Sequence, residues 1–187
     1  MLSRRNLSWK LNWYRQSELE GALLLGKMVR HASDPFLVSR LTRHCADEAR
    51  HAWLWERTRA GLGLDTIRID RSYQSFYLEA TAAPRSLLEV LGLTHVFEQR
   101  VQRQFSEEVA DPDLPASVRR TLNVLIRDEA GHLEWVGQWL AAHPDGDDVL
   151  ERYHAIDEQV YRALLPYRDR IWDIPGLGEE TLACAAR

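Results

Sequence analysis

The sequence predicts an all-α protein, a bundle of four long helices with one long crossover connection and a C-terminal fifth helix. Three observations carry this. Apolar residues recur at helical spacing through most of the 187 residues. Asp/Pro breaks separate the helices within each half of the chain. Between the halves, residues 62 to 83 lose the helical period. Two short-loop helical hairpins joined by one long crossover make a recognised bundle topology.

The elements follow in order. Leu11, Tyr14, Ala22, Leu25 and Val29 define one face of a first helix that ends near His31 to Asp34. Asp34-Pro35 supplies a cap and a first-turn proline for a second helix running to Gly61. Its inner stripe is Leu37, Leu41, His44, Glu48, His51 and Trp55. In the connection, Ile67-Arg68-Ile69 suits extended backbone, and Tyr73, Phe76 and Tyr77 are expected to pack on the bundle. A third helix runs from about Pro84 to Ala110 and is broken by Asp111-Pro112-Asp113-Leu114-Pro115. The fourth, from about Ala116 to Ala142, carries Leu122, Leu125, Glu129, His132, Val136 and Trp139 on one face. The fifth, from about Asp148 to Trp172, presents Leu150, Tyr153, Ile156, Val160 and Leu164. One domain is expected over residues 1–187: bundle at about 10–142, added helix at about 148–172, and a loosely held tail at 173–187.

Composition narrows the function. The net charge is -4, and no basic stripe is present, so neither nucleic acid nor an anionic membrane is an expected partner. No stretch reaches the roughly 18 apolar residues of a membrane span. Cys45 and Cys184 stand alone, with no Cys-x-x-Cys, which argues against a disulfide scaffold or a thiolate metal site. A cytoplasmic setting is expected.

The chemistry resides in two motifs, Asp47-Glu48-Ala49-Arg50-His51 and Asp128-Glu129-Ala130-Gly131-His132. A Glu and a His three apart project from one side of a helix. With 15 glutamates and seven histidines, random placement yields roughly 0.6 Glu-x-x-His pairs, so one alone means little. A third pair, Glu151 and His154, shows this: it lies with Asp147 and Glu158 on a polar face. The other two each follow an Asp, which lowers the random expectation to about 0.04 per chain. Both also fall on apolar stripes, and each has a glutamate upstream on the preceding helix, Glu18 and Glu98. Glu20 competes with Glu18 but aligns with Lys27 and His31 on a more polar face. Glu107 and Glu108 read as solvated, His44 as a core or neighbouring histidine rather than a ligand, and Tyr14 as core. Trp53, Trp55, Trp135 and Trp139 read as core or interface mass.

Four buried carboxylates need compensation, and two divalent cations balance them. Together with two imidazoles they make a nitrogen and oxygen donor set that suits iron or manganese. On these residues, about 10 to 142 of the chain resemble the ferritin-like di-iron carboxylate superfamily, with a ligand set similar to that of bacterioferritin and the oxygen-activating members. The resemblance implies that Glu48 and Glu129 bridge two iron ions, with manganese or a mixed pair as alternatives. Glu18 with His51, and Glu98 with His132, would complete the shells. Asp47 and Asp128 would each hydrogen-bond the histidine of the opposite motif.

The expected function is a dimetal oxidoreductase activating dioxygen or peroxide to oxidise or hydroxylate a small-molecule or carrier-bound substrate, with an external electron donor. The alternatives are an iron-oxidising storage or detoxification protein and a metal-stabilised binding protein. Against storage stand the long fifth helix and tail, and Ala49 where a haem-ligating methionine would follow Glu48. A rubrerythrin-like module needs Cys-x-x-Cys. The fifth helix is expected to cover the bundle, with a homodimer as the assembly.

Overall fold

A computed structural model describes residues 3–179, so Cys184 and the last part of the expected tail lie outside the described residues. The fold is all-α. Helix α1 spans Arg4–Met28, starting earlier than expected because Ser3 caps it, its side chain accepting from Asn6 N at 3.1 Å. A 3-10 turn at Val29–His31 leads to α2, Pro35–Gly61, capped by Asp34 with Pro35 in the first turn. The connection contains a two-residue strand β1, Arg68–Ile69, and a helix α3, Tyr73–Ala80. Helix α4, Leu87–Val109, starts three residues later than expected because Ser86 caps it, accepting from Glu89 N at 3.1 Å. Helix α5 is Ala116–Ala141 and α6 is Gly146–Leu164.

Two corrections concern the C-terminal region. The fifth long helix ends at Leu164 rather than near Trp172, because Pro166 has no N–H to continue it. The segment after Pro175 is anchored as far as it is described: Leu177 is buried, and a second strand β2, Gly178–Glu179, pairs antiparallel with β1. The connection likewise holds α3 where an aperiodic segment was expected. Tyr73, Phe76, Tyr77 and Ala80 supply its helical period, too short to stand out among the surrounding turns.

Helices α1 and α2 form one hairpin and α4 and α5 another, and they meet chiefly where α2 packs on α5. Helices α1 and α4 face each other across a cavity roofed by α3. Three apolar clusters fill the rest. One lies around Leu11, Trp55, Phe105 and Leu122, and a second around Leu25, Leu41, Leu91 and Leu140. The third joins Trp13, Tyr73 and Tyr77 to Val149 and Tyr153. Thus α6 covers α4 and α3 with the apolar face read from the sequence. Asp157 of α6 is 2% exposed and ties these elements together. It accepts from Tyr77 Oη at 2.5 Å and from Arg100 Nη2 at 2.6 Å. Trp53, read as core or interface mass, is exposed and so is not core. Among the described residues, no helix is long and apolar enough to cross a membrane.

The connection can lie close against the helices because α1 satisfies its backbone. Asn12 is fully buried and donates to Asp65 O at 3.0 Å while accepting from Ile67 N at 3.0 Å. Ser8 donates to Asp65 O, and Trp13 Nε1 donates to Arg71 O. Asn6 does the same for the C-terminal region, accepting from Ile171 N at 2.9 Å and donating to Arg168 O.

Helix α6 comes close to α4 because Gly92 has no side chain. A Cβ there would stand 2.3 Å from Val149 Cγ1. Two effects compete in Gly92→Ala: helix propensity gains up to about 1 kcal/mol, and overpacking costs roughly 1–3 kcal/mol. We expect a net loss of stability in urea unfolding. In a Val149→Ala background the clash disappears, so Gly92→Ala should become neutral or stabilising. Equal losses in both backgrounds would refute this account of the α4–α6 contact.

A candidate metal centre between the two hairpins

The site assembles from four helices. On α2 the stripe Leu37, Leu41, His44, Glu48, His51, Trp55 is buried along its length, so the spacing that makes the core also turns Glu48 and His51 inward. On α5, Glu129 and His132 are turned inward by Leu122, Leu125 and Val136. Helices α1 and α4 add Glu18 and Glu98, both at least nine-tenths buried. Glu20 points elsewhere: it accepts from Ser72 Oγ and from Gln16 Nε2. Of the two α1 candidates, only Glu18 reaches the site.

The ligating atoms fall into two groups, each with all its atoms within 4.8 Å of one another. One holds Glu18, Glu48, His51 and Glu129, and the other His44, Glu48, Glu98 and His132. Glu48 belongs to both. Glu129 also reaches both sides, at 3.3 Å from His51 Nδ1 and 3.2 Å from His132 Nδ1. Each group could hold a metal ion.

The outer nitrogens of the two motif histidines are occupied. His51 Nε2 lies 3.2 Å from Asp128 Oδ2, and His132 Nε2 lies 3.4 Å from Asp47 Oδ2. Arg50 fixes both aspartates from outside, at 2.5 Å from Asp128 and 3.6 Å from Asp47. A carboxylate at Nε2 favours the tautomer protonated there, leaving the Nδ1 lone pair to face inward.

Two features were missed in the sequence. His44 is fully inside the site: its Nε2 stands 2.8 Å from Glu98 Oε1 and 3.2 Å from Glu48 Oε1. Its ring stacks on that of His132 at 3.7 Å between centroids. The signal was its place on the inner stripe, one turn before Glu48. The other is Gly21, three residues after Glu18. A Cβ there would lie 3.1 Å from Glu48 Oε2, so its absence makes room for that carboxylate. A correction concerns Glu108, which is not solvated. It accepts from Lys10 Nζ at 2.8 Å and from Tyr14 Oη at 2.6 Å, while Glu107 is exposed. Glu151 and His154 are both exposed and belong to neither group.

The donor set fits divalent cations. His44 Nε2, Glu48 Oε1, His51 Nδ1 and Glu98 Oε2 are buried and make no hydrogen bond of good geometry, although His44 Nε2 and His51 Nδ1 lie within ion-pair distance of the carboxylates. Orphaned buried polar groups are rare and costly in a finished protein. Electrostatics agree. Burial, followed by repulsion from Glu129, Glu18 and Glu98, raises Glu48 well above the usual carboxylate range. Burial also opposes the charge on His51, but the Glu129 and Glu18 carboxylates outweigh it and push its pKa up to about 11. Glu129 is raised by burial and lowered more strongly by His132 and His51, to about 2.

Two predictions follow from this geometry. A cation must displace the protons held by Glu48 and His51, so affinity should fall as pH is lowered, with protons released on binding. Calorimetric titration in buffers of different ionisation enthalpy measures both; pH-independent affinity would contradict the assignment. Separately, Asp47→Ala and Asp128→Ala should each weaken metal binding by about 10-fold or more without unfolding the chain, since the histidines lose orientation.

Comparison with known proteins adds no relative, since no family model, curated protein or solved structure matches the chain, and what the site does must be argued from these side chains.

Proposed function

We propose that the chain is a ferritin-like di-iron carboxylate oxidoreductase, with four glutamates and three histidines as its metal ligands. The observation that carries this reading is the pair of overlapping ligand groups sharing Glu48, with their free atoms turned inward. The path of the chain supports it, since two hairpins joined by a long connection match the ferritin-like arrangement that builds such sites from facing helices. In this reading Glu18, Glu48, His51 and Glu129 would hold one metal ion, and His44, Glu48, Glu98 and His132 the other, with Glu129 within reach of both histidines. Manganese or a mixed iron/manganese pair suits the same donors.

Bound iron would supply the electrons that reduce dioxygen or peroxide, with an external donor restoring them. The chain itself supplies position and exclusion of water. Asp47 and Asp128 hold the imidazoles in one tautomer. Trp55 Nε1 donates to Glu18 Oε1 at 3.2 Å, fixing that carboxylate's second oxygen. The apolar clusters at either end keep solvent from the carboxylates. An oxidase is favoured over a storage protein by the apolar cavity that opens onto all four glutamates, which offers room for an organic molecule.

Anaerobic loading followed by elemental analysis should find about two metal ions per chain. Glu129→Ala and His132→Ala should lower that content sharply, and Glu151→Ala and His154→Ala should leave it unchanged. Equal losses in both sets would place the site elsewhere. On admitting oxygen, the iron-loaded protein should consume it while keeping the discrete pair. Oxidation of iron far beyond this stoichiometry, held in a large shell, would establish storage instead.

A further inference from the structure

The metal ligands are not distributed evenly around the centre. All three histidines come from α2 and α5, whereas α1 and α4 contribute only Glu18 and Glu98. Between α1 and α4 the helices stand apart and enclose a cavity of about 300 Å³, closed over by α3. None of the histidines lines it, but Glu18, Glu48, Glu98 and Glu129 all do. The cavity therefore lies against the one side of the centre that the imidazoles leave open.

Its walls are aromatic and aliphatic. Trp13, Tyr73, Tyr77 and Phe97 form a contiguous group, with ring centroids 5.3–5.8 Å apart between neighbours. The mouth is marked by exposed lining residues, Lys27 of α1 together with Leu78 and Ala83 of the α3–α4 region. Among the described residues, Lys27 is the only cationic side chain in the lining, and it stands at the mouth. An ionised group deeper in would therefore have no counter-charge once the carboxylates are neutralised by metal, and burying it would be costly. The interior selects a neutral molecule.

Beside the glutamates, the wall carries Ser17, Gln74, Thr94 and Gln104. Gln74 Nε2 donates to Ser17 O at 2.8 Å, which fixes the amide and leaves Oε1 buried without a partner. The adjacent Tyr73 hydroxyl is also buried and interacts with Gln104. A buried acceptor of this kind is satisfied by a ligand O–H or N–H.

We propose that this cavity is the substrate site and takes a small, uncharged, largely apolar molecule bearing one hydrogen-bond donor, held by Gln74 Oε1, with its body against the carboxylate side of the centre. The assignment as a substrate site rests on the metal-centre reading above. Selectivity follows from differential desolvation: a polyol of similar ring size loses many hydrogen bonds to water and recovers fewer from a mostly apolar wall.

The test uses the full chain loaded with zinc, titrated calorimetrically with butylcyclohexanol, its methyl ether and inositol. The alcohol should bind at least about tenfold more tightly than inositol. Leu24→Trp, which fills the cavity from a half-buried position on α1, should weaken the alcohol by about tenfold or more while metal content is unchanged. Gln74→Leu should abolish the preference for the alcohol over its ether. In manganese-loaded protein, the bound alcohol's proton relaxation should be strongly enhanced by the nearby ions. Equal binding of inositol, an unaffected Leu24→Trp variant, or no relaxation enhancement would each overturn the proposal. A chain that fails to load metal yet binds the alcohol in a Leu24-dependent way would retire the metal-centre reading and leave the cavity's ligand class standing.

Discussion

The burial of Glu18, Glu48, Glu98 and Glu129 in one apolar interior is the constraint to which the rest of the molecule answers. Moving one carboxylate out of water costs several kcal/mol even after relaxation. Four such costs exceed the roughly 5–15 kcal/mol by which a domain of this kind is stable. The fold answers in layers. Histidines face the carboxylates from α2 and α5, aspartates face the histidines, and Arg50 faces both aspartates at the surface. Charge of alternating sign thus runs from solvent to the interior. Burial and carboxylate repulsion favour a proton on Glu48, and, against burial, the Glu129 and Glu18 carboxylates favour one on His51. In the proposed metal centre cations would take the place of those protons.

The two halves of the chain look like a repeat, and the structure shows where the likeness ends. His44 stands one turn before Glu48 on α2. The matching position before Glu129 on α5 is Leu125, which is fully buried in the apolar cluster. One ligand group accordingly contains two imidazoles and the other a single one. The two groups are chemically unequal, and in the proposed centre the nitrogen-richer one would hold a transition metal more tightly.

Most of the candidate site was legible because spacing on a helix is a geometric quantity. Glu48 with His51, and Glu129 with His132, had to share a face, and the apolar stripes fixed which face it was. Glu18 was separable from Glu20 by the same phase argument. What remained hidden depended on neighbours distant in sequence. Spacing could place His44 inward but could not tell a ligand from a packed imidazole, since that turns on Glu98 from another helix. Glu108 read as solvated because its partners, Lys10 and Tyr14, come from nearly a hundred residues upstream. In the fold, the long helices were clear from their caps and stripes, whereas α3 was too short to register. The pairing of β2 with β1 is a backbone event with no side-chain signature.

The polar side chains along α1 carry a consequence for how the chain reaches this state. Asn12 is matched by backbone more than fifty residues downstream, and Asn6 by backbone more than 160 residues away. Closing loops of that span early is entropically unfavourable, and structures rich in distant contacts fold slowly. During synthesis from the N-terminus, α1 emerges with its asparagines still bound to water. Asn12 can find its partners once residues 65–67 have been made, but Asn6 only after the segment around Ile171. Helix α1 is therefore completed late although it is made early, when Asn6 meets the backbone of residues 168–171.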